Sequence, residues 1–264
     1  MLERSWRLFG TAVSFAVFGV GAVLVSLLFL ALLVVPRRVR QRPARALVRV
    51  SFRSFLRFLA TLRVFDFDLD REGLARLGTA GRRVVVANHP TLLDVIVLLA
   101  YVNQASCVVK SRVWRNPFLA AAVRAANYVP NDDFTQLLRD SDAALARHEP
   151  LIVFPEATRS VPGEPLRLQR GAATIALESD AVVDIVHFRC EPVLLTKSDA
   201  WYRVPARRPC LAVKVGASLR AREYLRGGAS RSVAARRLTQ ALQQELGESP
   251  SDARAGAGAE TAAH

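Results

Sequence analysis

"VVVANHPTLLDVIVLL" (residues 84–99) sets a short β-branched run against a longer apolar one and puts Asn88, His89 and Asp94 between them. The first run has the length and branching of a buried strand, and "TLLDVIVLLAYV" (91–102) is long enough for a helix. The stretch therefore predicts a strand, a polar junction and a helix. Pro90 favours a first helical turn, which places His89 where the strand ends and the helix begins. There the positive end of the helix disfavours an imidazolium, so His89 is expected to be a neutral base. Asp94, about one turn further in, is close enough to reach the other ring nitrogen and hold its tautomer. Such a pair can take a proton from a hydroxyl during acyl transfer, the carboxylate stabilising the imidazolium that forms. A helix cap with a nearby acid accounts for the same two residues without any chemistry. No G-x-S-x-G nucleophile motif accompanies them, so direct attack by an acceptor hydroxyl is simpler than an acyl-enzyme.

The same alternation continues on both sides. "VFDFDLD" (64–70) has period two, and "SCVVK" (106–110), "PLIVFP" (150–155), "AVVDIVHFR" (181–189) and "CLAVKVG" (210–216) read as further strands. "NPFLAAAVRAAN" (116–127), "TQLLRDSDAALAR" (135–147), "GAATIALES" (171–179) and "SRSVAARRLTQALQQEL" (230–246) read as helices, the last with a Ser cap. This order implies an α/β domain over residues 63–246, with a mixed, largely parallel sheet flanked by helices. Residues 247–264 lack apolar periodicity and read as a disordered tail.

Ahead of that domain, no charged residue occurs from Leu8 to Val35, a run that as helix is roughly 40 Å long and able to cross an apolar core of about 30 Å. It ends in Pro36 and an arginine block rather than a small-residue cleavage site, so residues 1–35 are expected to be a retained membrane-anchoring helix. The Gly19-Val20-Gly21 break permits a re-entrant hairpin in place of a span. Arg37, Arg38, Arg40 and Arg42 follow without an intervening acid, which puts the rest of the chain on the cytoplasmic side of the cell inner membrane. Within residues 36–62, Arg45, Arg49, Arg53 and Arg57 recur every four positions. That spacing suits a basic amphipathic helix at the lipid interface, and equally a helix packed on its own domain.

Composition agrees with a membrane-associated chain. Of 264 residues, 37 are Lys or Arg against 23 Asp or Glu, a formal charge of +14, and half are apolar. The mean hydropathy is positive at +0.19. An anionic partner is implied, and with no reader motif for nucleic acid, membrane lipid is the better fit. Cys107, Cys190 and Cys210 are too scattered for a disulfide framework or a metal knuckle.

"NHPTLLD" (88–94) and "FPEATRS" (154–160), about 65 residues apart, together resemble the glycerolipid acyltransferase family, typified by the 1-acylglycerol-3-phosphate acyltransferases. The family's first block is N-H-x-[ST]-x-x-D and its third F-P-E-G-T-R-S. The resemblance implies that His89 and Asp94 are the catalytic dyad. It also implies that Glu156 and Arg159 hold the acceptor, often at a phosphate, with Thr158 and Ser160 adding hydroxyls. Lys110 and Pro117 match parts of the second block, and Arg170 in "LQRGAATIA" matches a basic segment after the third. The donor implied is a thioester on coenzyme A or an acyl carrier protein, with no metal or cofactor. A structural turn stabilised by a Glu-Arg pair is the competing reading of "FPEATRS". Two departures stand out. Ala157 replaces the third-block glycine, and Asn131 stands where the second block often has an arginine, which weakens a glycerol-phosphate acceptor. "CEPVLLTK" with Trp201 and Tyr202 also looks like a branch found alongside bacterial fatty-acid and polyene synthases. That likeness leaves open a different lipid-like or polyene acceptor, or a non-catalytic module docking an acyl carrier protein.

Overall fold

The side chains of Val84 to Ala87 are all fully buried, which a strand achieves only when both of its faces are covered. A computed structural model describes residues 2–79, 81–160, 165–194 and 202–247 and shows how this happens. Seven strands form one sheet: β1 (Asp66–Leu69), β2 (Arg83–Ala87), β3 (Ser106–Val109), β4 (Val129–Pro130), β5 (Leu151–Val153), β6 (Val182–Glu191) and β7 (Cys210–Arg220). Their order is β1-β7-β6-β2-β5-β3-β4. Among the described residues only the β6–β7 pair is antiparallel, so the sheet is mixed and largely parallel, as expected. β2 lies in its middle, with Val85 opposite Ile152 on one side and Asp184 on the other.

Alternation along the strands divides the core in two. Val85, Ala87, Val186 and Phe188 face a layer that includes α2 (Arg37–Thr61), α4 (Asp94–Tyr101) and α6 (Ala120–Ala126). Val84, Val86, Val183 and Ile185 face α7 (Phe134–Ala146), α8 (Gly171–Glu178) and α9 (Arg231–Gly247). Full burial of a side chain such as Leu98 or Ile152 contributes about 1.5–3 kcal/mol. α3 (Arg71–Arg76) and α5 (Ser111–Arg115) are one-turn helices too short for a periodic signal, and β4 has only two residues. α6 is shorter than "NPFLAAAVRAAN" suggests. Asn116 Oδ1 accepts from Phe118 N in a turn before it, and Asn127 ends it in the left-handed region at φ 54°.

The N-terminal segment is one continuous helix, α1 (Leu2–Leu32), so the hairpin break at Gly19-Val20-Gly21 does not occur. α1 lies along the domain rather than projecting from it. Trp6 Nε1 donates to Leu62 O at 2.9 Å and Arg7 Nη2 to Ala206 O at 2.5 Å. A Cβ on Gly10 would stand 2.7 Å from Val64 Cγ2, so glycine permits the close approach there. Further along, Phe18 meets Phe55, Ser26 donates to the Phe118 carbonyl, and Phe29 is fully buried. The opposite face leaves Phe9, Val20, Leu24 and Leu27 exposed.

The arginine spacing in α2 resolves largely as packing. Arg45 Nε donates to Ala126 O at 2.9 Å, and its Nη1 lies 3.0 Å from Glu149 Oε2. Arg53 Nε donates to Ala100 O at 2.7 Å, and Arg49 Nη1 to Asn103 Oδ1 at 2.7 Å. These guanidinium groups cap the carbonyl ends of α4 and α6, where a helix leaves acceptors without partners and its dipole is negative. Arg37, Arg38, Arg42 and Arg57 face solvent. The expected tail beyond Gly247, and Trp201, fall outside the described residues.

Candidate active site

β2 ends at Ala87 and α4 begins at Asp94, so residues 88–93 form a loop rather than a first helical turn. Pro90 lies in that loop, and Asp94, not His89, stands at the helix terminus. The positive end of α4 therefore acts on the Asp94 carboxylate. Asn88 fastens the start of the loop: its Nδ2 donates to Phe188 O at 2.8 Å and its Oδ1 accepts from Phe188 N at 2.7 Å.

Asp94 is fully buried and its oxygens are met by three groups. Oδ2 lies 2.9 Å from His89 Nδ1 and accepts from Thr91 N at 2.7 Å, and Oδ1 accepts from Thr91 Oγ1 at 2.6 Å. Burial pushes the Asp94 carboxyl above its ordinary range, opposed by the His89 and Thr91 donors. With Nδ1 turned to this carboxylate, Nδ1 carries the proton of the neutral ring and Nε2 is left as the basic nitrogen. The imidazole is partly exposed and lies tilted by 32° against the Phe154 ring, with centroids 4.4 Å apart.

The loop after β5 meets the same histidine from behind. Glu156 Oε1 accepts from His89 N at 2.9 Å and from Ser160 Oγ at 2.8 Å, while Ser160 N donates to His89 O at 2.8 Å. Glu156 and Ser160, expected from the resemblance to touch substrate, have these polar atoms turned to the His89 backbone. Ala157 holds φ 55°, the left-handed conformation that glycine would adopt without strain.

His89 opens on a cavity of about 1050 Å³. This is the upper end of the roughly 300–1,000 Å³ usual for ligand pockets. Its apolar walls come from α1, α2 and α4, including Phe15, Phe18, Phe52, Phe55 and Ile96. Thr158, Arg159, Lys110 and Arg170 all line it, so the structure brings these four expected residues together with His89. Arg112, Asn131 and Asp132 join them. Arg112 was not legible beforehand because it sits in the unforeseen helix α5. Thr91 and Phe154 lay inside the two motifs, but only the folded loop shows what they hold. Cys107 also borders the cavity, yet burial pushes its thiol up to about 12, so it stays protonated and is no nucleophile at neutral pH.

Comparison with known proteins agrees with this geometry. A family model described as Acyltransferase matches residues 69–187, which hold the dyad and the Arg159 loop. Over 119 residues the chain is 32% identical to a 1-acyl-sn-glycerol-3-phosphate acyltransferase of Helicobacter pylori, covering 42% of this chain. The match spans 50% of that relative's length. The fold is similar to the crystal structure of the 1-acyl-sn-glycerophosphate (LPA) acyltransferase PlsC from Thermotoga maritima. That likeness has a TM-score of 0.61 at 18% identity, covering 94% of this chain and 99% of the other. Residues 69–187, His89 and Arg159 among them, are thus similar to acyltransferases.

Proposed function

We propose that this protein is a membrane-bound O-acyltransferase that moves an acyl group from a thioester, on coenzyme A or an acyl carrier protein, to a hydroxyl of a lysophospholipid such as 1-acylglycerol-3-phosphate. The observation that carries this reading is the His89–Asp94 pair, 2.9 Å apart, opening on an apolar cavity lined by Lys110, Arg112, Arg159 and Arg170. His89 Nε2 takes the acceptor's proton as its oxygen bonds to the thioester carbonyl. Asp94 stabilises the imidazolium that results. When the tetrahedral intermediate collapses, the carbon–sulfur bond breaks and His89 returns the proton to sulfur, leaving an ester and a free thiol. The Arg159 guanidinium presents a planar fork suited to a phosphate, and Thr158 adds a hydroxyl donor. Glu156 and Ser160 act as positioning residues that hold the His89 backbone.

Asn131 and Asp132 in the cavity wall favour a second acceptor reading, a lipid-like or polyene hydroxyl without a phosphate, since a carboxylate there opposes an anion. At the membrane, α1 is docked from Arg7 to Phe29, so its exposed apolar face fits insertion into one leaflet beside the domain better than an upright span. Exposed Arg37, Arg38 and Arg42 follow α1 in the chain and suit anionic headgroups.

The test is to incubate the purified protein in lipid with labelled acyl-coenzyme A or acyl carrier protein and a panel of lysolipids, and to identify the product by mass. An acylated lipid is expected; free acid alone would indicate a thioesterase, and no turnover a docking module. His89→Ala should lower transfer by at least roughly 10²-fold at unchanged thermal stability, the low end for loss of a general base. A folded His89→Ala protein with near-normal transfer would overturn the mechanism.

A further inference from the structure

A second pocket, of about 750 Å³, lies at the N-terminal end of α1, where that helix meets the end of α2 and the residues just before β7. It shares no lining residue with the His89 cavity, and along α1 the contact of Gly10 with Val64 stands between the two. Four arginines line it, Arg7, Arg63, Arg207 and Arg208, against one acid, Glu3. Two of them are engaged within the fold. Arg7 is buried, 3.2 Å from Glu3 and bonded to Ala206 O, and Arg208 Nη1 lies 2.9 Å from Asp66 Oδ1. Arg63 and Arg207 are exposed, and among the described residues their side chains have no hydrogen bond or ion pair. Arg63 also holds φ 54° directly after the C-cap Leu62, a left-handed position that glycine or asparagine usually fills. No side-chain bond within the fold offsets the strain of an arginine there.

Cations gathered on one wall repel each other, and an anion among them reverses that cost. Trp6 indicates which anion fits. Its Nε1 donates to Leu62 O at 2.9 Å, which sets the ring into the pocket wall. Trp6 is nevertheless 49% exposed, and its ring lies 5.9 Å from that of Phe9, on the exposed apolar face of α1. An indole between arginines and an apolar face has the setting found where headgroups meet acyl chains. We propose that this pocket binds the phosphate of a phospholipid headgroup, held by Arg63 and Arg207, with the lipid's chains along Trp6 and Phe9. The lipid bound here is a component of the bilayer and not a substrate, because neither His89 nor Asp94 borders the pocket. A free phosphate shares the charge but not the chains. An acidic protein surface shares the charge too, but does not call for the apolar face that adjoins it.

The experiment is titration calorimetry on the full chain in a neutral detergent, with dihexanoylphosphatidylglycerol, inorganic phosphate and acyl carrier protein as separate probes. The short-chain lipid should bind, and inorganic phosphate should bind at least roughly tenfold more weakly, because it buries no methylene groups. Arg63→Gly and Arg207→Gln should each weaken lipid binding by about tenfold or more, the worth of one charge-assisted hydrogen bond. Glycine adopts φ 54° without strain and Arg207 is exposed, so both variants should stay folded, which thermal unfolding checks. Lipid binding that is absent, or that is unchanged in either variant, overturns the proposal. Inorganic phosphate bound as tightly as the lipid would leave an anion site without the lipid, and acyl carrier protein bound in place of the lipid would give the pocket to a protein. Either result overturns it as well.

Discussion

At His89, the tautomer of the ring is set by residues that do not face the cavity. Asp94 receives Nδ1, Thr91 holds Asp94 with its backbone and its hydroxyl, and Glu156 with Ser160 ties the His89 backbone to the loop after β5. Glu156 can therefore be tested as a positioning residue against a role as a charged contact to the acceptor. Its Oε1 only accepts, so glutamine, which retains a carbonyl oxygen, should keep most of the activity. Glu156→Ala removes the shared acceptor, leaving His89 N only its longer 3.3 Å bond to Ser160 Oγ, and should lower kcat by about tenfold with acceptor KM little changed. Steady-state kinetics with the acceptor varied checks both. A Glu156→Gln enzyme with a strongly raised acceptor KM would return this carboxylate to substrate binding.

Elements show a division of labour that composition conceals. The arginines of α2 at 45, 49 and 53 look like an interfacial stripe, yet they bond carbonyls and side chains of their own domain. α1 looks like a detachable anchor, yet Thr11, Ser14, Phe15 and Phe18 form cavity wall. The docking of α1 predicts different outcomes for two of its glycines. Gly19 has nothing within 4 Å of a built Cβ, so Gly19→Ala should gain up to about 1 kcal/mol of helix propensity. Gly10→Ala gains the same propensity but drives a Cβ to 2.7 Å from Val64 Cγ2, an overpacking cost of about 1–3 kcal/mol on a stiff β-branched neighbour. Thermal unfolding in detergent should therefore rank Gly10→Ala below Gly19→Ala. Equal melting temperatures would mean that α1 is not seated on the domain.

For the whole molecule, the exposed face of α1 and the solvent-facing arginines after Pro36 supply two kinds of attachment. Apolar insertion is insensitive to salt, whereas each basic side chain near an anionic surface contributes about 1 kcal/mol that fades within a Debye length. Binding of the full chain to anionic vesicles should weaken by about tenfold between roughly 0.05 and 0.5 M salt and then level off, because the apolar face remains. Vesicle sedimentation across that range checks it. Complete release at high salt would remove the inserted helix, and a flat profile would remove the arginines.

The sequence by itself determined the order of the longer strands and helices, the largely parallel sheet and the His89–Asp94 pairing, whereas α3, α5 and β4 are too short to leave a periodic signal. Period-two and β-branched runs mark strands, and a histidine and an aspartate five positions apart can meet within one loop and helix start. The tertiary structure alone decided which way each polar side chain faces. Glu156 reaches His89 N across 67 positions of chain, and Arg45 reaches Ala126 O across 81. Spacing predicts neither, because both depend on which strands pair and how the helices lie over them. The same holds for the cavity. Its walls draw on α1, α2, α4, α6 and α8 together, and Phe15 is one more residue of an apolar helix until those walls close around it.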